Sequence, residues 1–250
     1  KALRREGRHT LLAIAAREPE AAFRQVAAAM GSQSNVASRL GAHLLGWLNR
    51  SEAYPHLIPM LAEEDPANRE EALRAIERLA QNHPLSEQTR ELLGAFASAE
   101  VSRVEENVKR RQLLRALEVP SGEPREAANW LAAEILEDNG WIRGRVLRAA
   151  ALLHDTARVR EVARGLDDPD SRKRANALEA LEYVLPAGLG RRLAHCLEQE
   201  AQKEIHVEDR QDGILPELIA HRYRSVRAGA VLLAGRARRE ECSAAVEEAL

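Results

Sequence analysis

The sequence predicts an all-α protein, and three observations carry that prediction. Ala and Leu dominate a hydrophobic share of 45%, while aromatic residues make up only 3% of the 250 residues. These are good helix formers, and the β-branched and aromatic residues that strands favour are scarce. Apolar positions recur at intervals of three and four along almost the whole chain, the period of a helix face and not of a strand. Prolines, Asx residues and glycines then punctuate the periodic stretches where helices should start and stop.

About fourteen helices are expected, near 2–17, 19–30, 34–49, 54–63, 67–82, 86–97, 100–118, 124–138, 141–153, 157–166, 170–185, 188–200, 213–221 and 224–250, the last broken in two. In the fifth, Ala72, Leu73, Ile76 and Leu79 form one apolar stripe, with Arg69, Glu70, Arg74, Glu77 and Arg78 largely outside it. In the eleventh, Ala177, Leu178, Leu181, Val184 and Leu185 do the same. Such amphipathic helices need neighbours. Asp65-Pro66 and Asp168-Pro169 each place an N-cap carboxylate before a proline at the first helical position. Ser102 to Glu105 has capping-box spacing, and Asn139-Gly140 reads as a helix stop before Trp141. His83-Pro84, Val119-Pro120 and Leu185-Pro186 mark further ends.

Internal similarity favours a stacked array over a single bundle. His56 to Arg69 and Val162 to Arg172 both read as a short helix, an acidic Asp-Pro turn, an Arg, then a longer Ala/Leu-striped helix. Weaker copies follow at Ile214 to Leu233 and at Trp130 to Leu152. The clearest repeats are 54–82, 124–153, 157–185 and 213–238, with a period near 30 residues between helices starting at 141 and 170, and an irregular insertion near 198–212. The acidic turn, the following Arg and the small residues Ala72, Ala177 and Ala230 resemble HEAT repeats over nearly the whole of 1–250. That resemblance implies one right-handed α-solenoid of about six or seven helix pairs, in which small residues let helices approach closely.

A closer resemblance lies in Arg145 to Glu198. Leu147 to Asp155, Gly165-Leu166, Asp168, Arg174 to Glu179 and Leu185-Pro186 look like HEAT segments joined to bacterial membrane proteins related to nucleotide transporters and major-facilitator carriers. The resemblance implies a cytoplasmic regulatory module beside a membrane domain. It implies no catalytic residue.

Composition excludes several function classes. With 37 basic against 39 acidic residues the net charge is -2, so nothing global draws the chain to a polyanion. Two cysteines, Cys196 and Cys242, make neither a disulfide framework nor a four-ligand zinc site, and fit a reducing, cytosolic compartment. The longest apolar run, around Ala127 to Leu136, is broken by Asn129 and Glu134 and is too short to span a membrane. No secretory leader is evident, and a chain beginning at Lys1 with its first Met at Met30 reads as a piece of a longer protein.

Catalytic and metal motifs are weak. His154-Asp155 resembles the core of HD phosphohydrolases, but the second His such a site needs is missing, and the pair reads as a helix end. His206, Glu208 and Asp209 lack partners at zinc-ligand spacing, and Gly188-Leu-Gly190 lacks the rest of a phosphate-binding loop. No cofactor, metal or catalytic residue is expected. The arginines are more informative. Arg143, Arg145 and Arg148, then Arg172 and Arg174 beside Lys173, then Arg222, Arg224 and Arg227 fall near the start of second helices. Stacked repeats would align Arg143, Arg145, Arg172, Arg174, Arg224 and Arg227 as a ladder or a concave anion-binding groove. The stronger reading is structural, with Asp65/Arg69 and Asp168/Arg172 at the i,i+4 spacing of ion pairs. With Trp47, Trp130 and Trp141, the same ladder resembles HEAT-like alkylpurine DNA glycosylases, the alternative carried here. The expected function is a non-enzymatic scaffold that binds a protein partner or a sibling domain, touching a membrane only through a parent protein.

Overall fold

The computed structural model describes residues 13, 17–31, 34–186, 188–201, 213–221, 224–239 and 242–249. Among these the chain is all-helical, with no strand. The α-helices are α1 (Pro19–Met30), α2 (Asn35–Leu48), α3 (Tyr54–Leu57), α4 (Pro66–Ala80), α5 (Glu87–Ala116), α6 (Glu123–Leu153), α7 (Thr156–Leu166), α8 (Ser171–Val184), α9 (Leu189–Ala201), α10 (Ile214–Ile219), α11 (Arg224–Arg236) and α12 (Ser243–Ala249). Two compact units emerge, one from Lys1–Ala97 with Arg148–Thr156, the other from Ser98–Leu147 with Ala157–Leu250. Helices α5 and α6 each contribute residues to both.

In the first unit α2 lies against α1 and α4. Ala72, Leu73, Ala75, Ile76 and Leu79 of the α4 stripe are fully buried, with Ala42, Leu45 and Leu57. A Cβ added at Gly46 would stand 2.9 Å from the Ala75 Cα, so the α2–α4 contact requires glycine there. The expected helix 54–63 is instead a 3₁₀ turn (Ser51–Ala53), the four-residue α3 and a second 3₁₀ turn (Pro59–Ala62). Pro55 and Pro59 have no N–H to donate, which suits single turns better than a continuous α ladder.

The second unit has a core of Leu114, Leu131, Ile135, Leu218, Ile219, Val226, Ala230 and Leu233, drawn from α5, α6, α10 and α11. Aliphatic and small side chains fill it, as the aromatic-poor composition requires.

Two expected breaks are absent. Ser102 starts no helix, because α5 runs unbroken for 30 residues. Its hydroxyl and the Glu105 carboxylate accept hydrogen bonds from Arg192 instead, at 2.8 and 2.7 Å. Asn139-Gly140 stops nothing either, because α6 continues for 31 residues. Asn139 is buried in a polar network within the second unit. Consequently 124–153 is one helix where a pair was expected, and the interval from 141 to 170 does not separate two helix starts. A third boundary shifts: the cap before α8 is Asp170, not Asp168. The expected insertion near 198–212 falls mostly on residues 202–212, outside the described residues, as do most of helix 2–17, His206, Glu208, Asp209, Arg222 and the Arg224 side chain.

Candidate functional site

The helix hairpins 54–80 and 156–184 share one turn chemistry. Asp65 caps α4 by accepting from the Ala67 N–H at 2.8 Å, and Asp170 caps α8 from the Arg172 N–H at 2.8 Å. Four residues into each helix stands an arginine, Arg69 or Arg174. Arg69 donates through Nη1 to the Glu63 and Glu64 carbonyls, both at 2.7 Å. Arg174 donates to the Asp168 and Pro169 carbonyls at 2.7 and 2.8 Å. These are the carbonyls a turn leaves without helical partners, so each arginine clamps the turn that precedes its own helix. Asp168 accepts from the Asp170 N–H at 2.9 Å and from Lys173 at 3.2 Å, which holds its carboxyl below the usual range. Asp65 also lies 3.7 Å from Arg39.

Two of the predicted ladder arginines, Arg143 and Arg145, and Arg148 on the same helix hold carboxylates of their own unit. Arg143 meets Asp167 at 2.6 Å. Arg145, almost fully buried, meets Glu100 at 2.6 Å, and Glu100 also holds Arg103. Arg148 forks onto Glu77 at 2.6 and 2.7 Å and reaches Glu70 at 2.6 Å. Arg172 is exposed and Arg227 half-buried. The structure thus brings Arg172 and Arg174 to one hairpin and puts Arg143 and Arg145 on α6.

Two polar clusters escaped sequence reasoning. In the second unit, Asn107 Nδ2 donates to Asp138 and to Asn139 Oδ1, both at 2.9 Å, and Asn139 donates to Glu200 at 2.5 Å. Burial raises the Glu200 carboxyl above the usual carboxylate range, against opposing pulls from Asn139, Arg111 and Arg143. The signal was present: Ile135, Asn139, Ile142 and Val146 follow a four-three-four spacing, so Asn139 occupies a core position of α6. In the first unit, the Trp47 indole donates to His43 Nε2 at 3.2 Å and Arg78 stacks over the Trp47 ring at 5.1 Å. An indole N–H only donates, so the His43 proton sits on Nδ1 and bonds Glu71 at 2.8 Å.

A groove of about 540 Å³ runs along α7 and α8. Val162, Gly165, Ala177, Ala180 and Val184 line it with small and aliphatic surface, and Arg158, Glu161, Lys173 and Asn176 supply the polar lining. Small side chains make the hairpin tight: a Cβ added at Gly165 would stand 2.8 Å from the Ala177 Cβ.

Among the described residues no group of three His, Cys, Asp or Glu could hold a metal ion. His154 follows the end of α6, its N–H bonded to the Ala150 carbonyl at 2.9 Å. Cys196 and Cys242 are buried and unbridged. Burial, helped by Glu105 and Glu200, pushes the Cys196 thiol up to about 11. No described helix is long and apolar enough to cross a membrane. No protein-family model matches the chain, and no curated protein sequence matches it.

Proposed function

We propose that the chain is a non-enzymatic interaction module of HEAT type, an α-solenoid that binds a protein partner or a sibling domain of a larger, membrane-linked bacterial protein on its cytoplasmic side. The observation that carries this reading is the α7–α8 groove, whose small aliphatic lining flanked by Arg158, Glu161, Lys173 and Asn176 can take the side chains of a docked segment. The recurrent turn clamp at Arg69 and Arg174 supports the repeat architecture. The carboxylate partners of Arg143, Arg145 and Arg148 favour a protein ligand over nucleic acid, because those charges are already compensated within the chain.

The test is site-specific photocrosslinking from the half-buried groove position Ala180, replaced by p-benzoylphenylalanine, in cells expressing the chain. The expected result is one discrete polypeptide adduct, weakened by Glu161→Lys. Adducts to nucleic acid, or salt-sensitive nucleic-acid retention by the purified chain, would replace this reading with the glycosylase-like alternative.

A further inference from the structure

The solvent side of α6 lies wholly within the second unit between Glu126 and Gly144 and is built unlike the rest of that helix. Trp130, Ala133, Glu137, Gly140 and Gly144 follow one another at three- and four-residue intervals, so they share a stripe about 20 Å long. Trp130 is 45% exposed and Trp141, beside the stripe, 62%. The Trp130 ring is not loose: its six-membered edge lies over Gly229 of α11, where an added Cβ would come within 2.4 Å of the ring. Gly140 and Gly144 weaken a helix interior, yet a Cβ at either would meet nothing within 4 Å. No close approach inside the described chain calls for them.

Charge gives this face its specificity. Residues 126–142 hold four carboxylates, Glu126, Glu134, Glu137 and Asp138, and not one Lys, Arg or His. The flanking cations are engaged, Arg125 with the Val119 carbonyl at 3.5 Å and Arg143 with Asp167 at 2.6 Å.

We propose that this face of α6 docks a cationic amphipathic helix of a protein partner. The glycines let the partner backbone lie close. Lysine or arginine side chains of the partner stack on Trp130 and Trp141, and their neighbours pair with Glu126, Glu134 and Glu137. The same carboxylates repel anionic lipid and nucleic acid. The proposal rests on the reading of the chain as an interaction module but uses a surface other than the α7–α8 groove.

The probe is a display library of short amphipathic helices with polar positions randomised over Lys, Arg, Glu and Gln, selected on the intact 250-residue chain. Selected peptides are then measured by fluorescence anisotropy against three variants: Glu134→Lys with Glu137→Lys, Gly140→Leu, and Ala180→Phe. The expected peptides are Lys- and Arg-rich. The first two variants weaken them at least about tenfold, Ala180→Phe leaves them unchanged, and circular dichroism shows all three folded. Peptides without cationic bias, or binding indifferent to the first two variants, overturn the proposal. Binding lost only in Ala180→Phe moves the partner to the groove and leaves the interaction-module reading intact. No selected peptide at all removes both. A chain that dimerises in wild-type form and not as Gly140→Leu overturns the proposal in favour of a second copy.

Discussion

Arg69 and Arg174 do the same work at two turns: each donates from one Nη1 to the carbonyls six and five residues before it. They differ in burial, Arg69 being fully buried and Arg174 exposed. A hydrogen bond to a charged group is worth more in a dry site, and its loss there strands the carbonyls it served. Arg69→Ala should therefore cost about 3 kcal/mol and Arg174→Ala about 1 kcal/mol. Chemical denaturation of the two variants checks both the ranking and the shared role. Equal losses would mean that burial does not set the strength of the clamp.

The two turns also show how far sequence reasoning reaches. The acidic turn and the striped helix behind it were legible at both places, because periodicity and capping preferences act locally, whereas the spacing pairs Arg69 with Arg172 and the arginine that clamps the second turn is Arg174. The register was not legible. Asp65-Pro66 aligns by eye with Asp168-Pro169, yet the cap is Asp170, because a carboxylate two residues further on reaches the Arg172 N–H. Asn139 misled for a related reason. Its Asn-Gly context is that of a helix end, yet it sits inside a continuous helix with buried partners, Asn107 and Glu200, that are distant in sequence. Ion pairing was equally illegible, since Arg145 finds Glu100 across 45 positions. Spacing within one helix cannot reveal such a partner.

Continuity of α6 has a mutational signature. Gly140 sits mid-helix with open space around the position a Cβ would take, so Gly140→Ala should raise stability by about 1 kcal/mol. Were Asn139-Gly140 a helix stop, the same change would be costly. Gly190 is the opposite case. A Cβ there would stand 2.2 Å from the Leu181 carbonyl oxygen, so Gly190→Ala must push α9 off the end of α8. A loss of at least about 2 kcal/mol is expected from that overpacking. Thermal denaturation of the pair should move in opposite directions.

Cys196 should be chemically silent in the folded protein. With its thiol pushed up to about 11, roughly one molecule in a thousand carries a thiolate at pH 8, and the sulfur is shielded from reagent. Alkylation followed by mass spectrometry should label Cys196 only at the rate at which the second unit opens, and fully in denaturant. Rapid native labelling would place the thiol in an environment other than the buried face of α9.

Glu200 carries a pH dependence whose sign follows from its burial. Because its native carboxyl titrates above the ordinary glutamate range, the folded state holds a proton that the unfolded chain has already released. In that window the native state binds more protons. Its contribution to stability therefore falls as pH rises from the ordinary glutamate value through the raised native one, and is flat above. Glu200→Gln keeps an oxygen to accept from Asn139 and removes the charge. The variant should melt higher than the wild type at pH 7, and the gap should close as pH falls below the unfolded glutamate pKa. Arg111 and Arg143 pull the other way, favouring the carboxylate. A variant that melts lower at pH 7 would show that their attraction outweighs the cost of burying the charge.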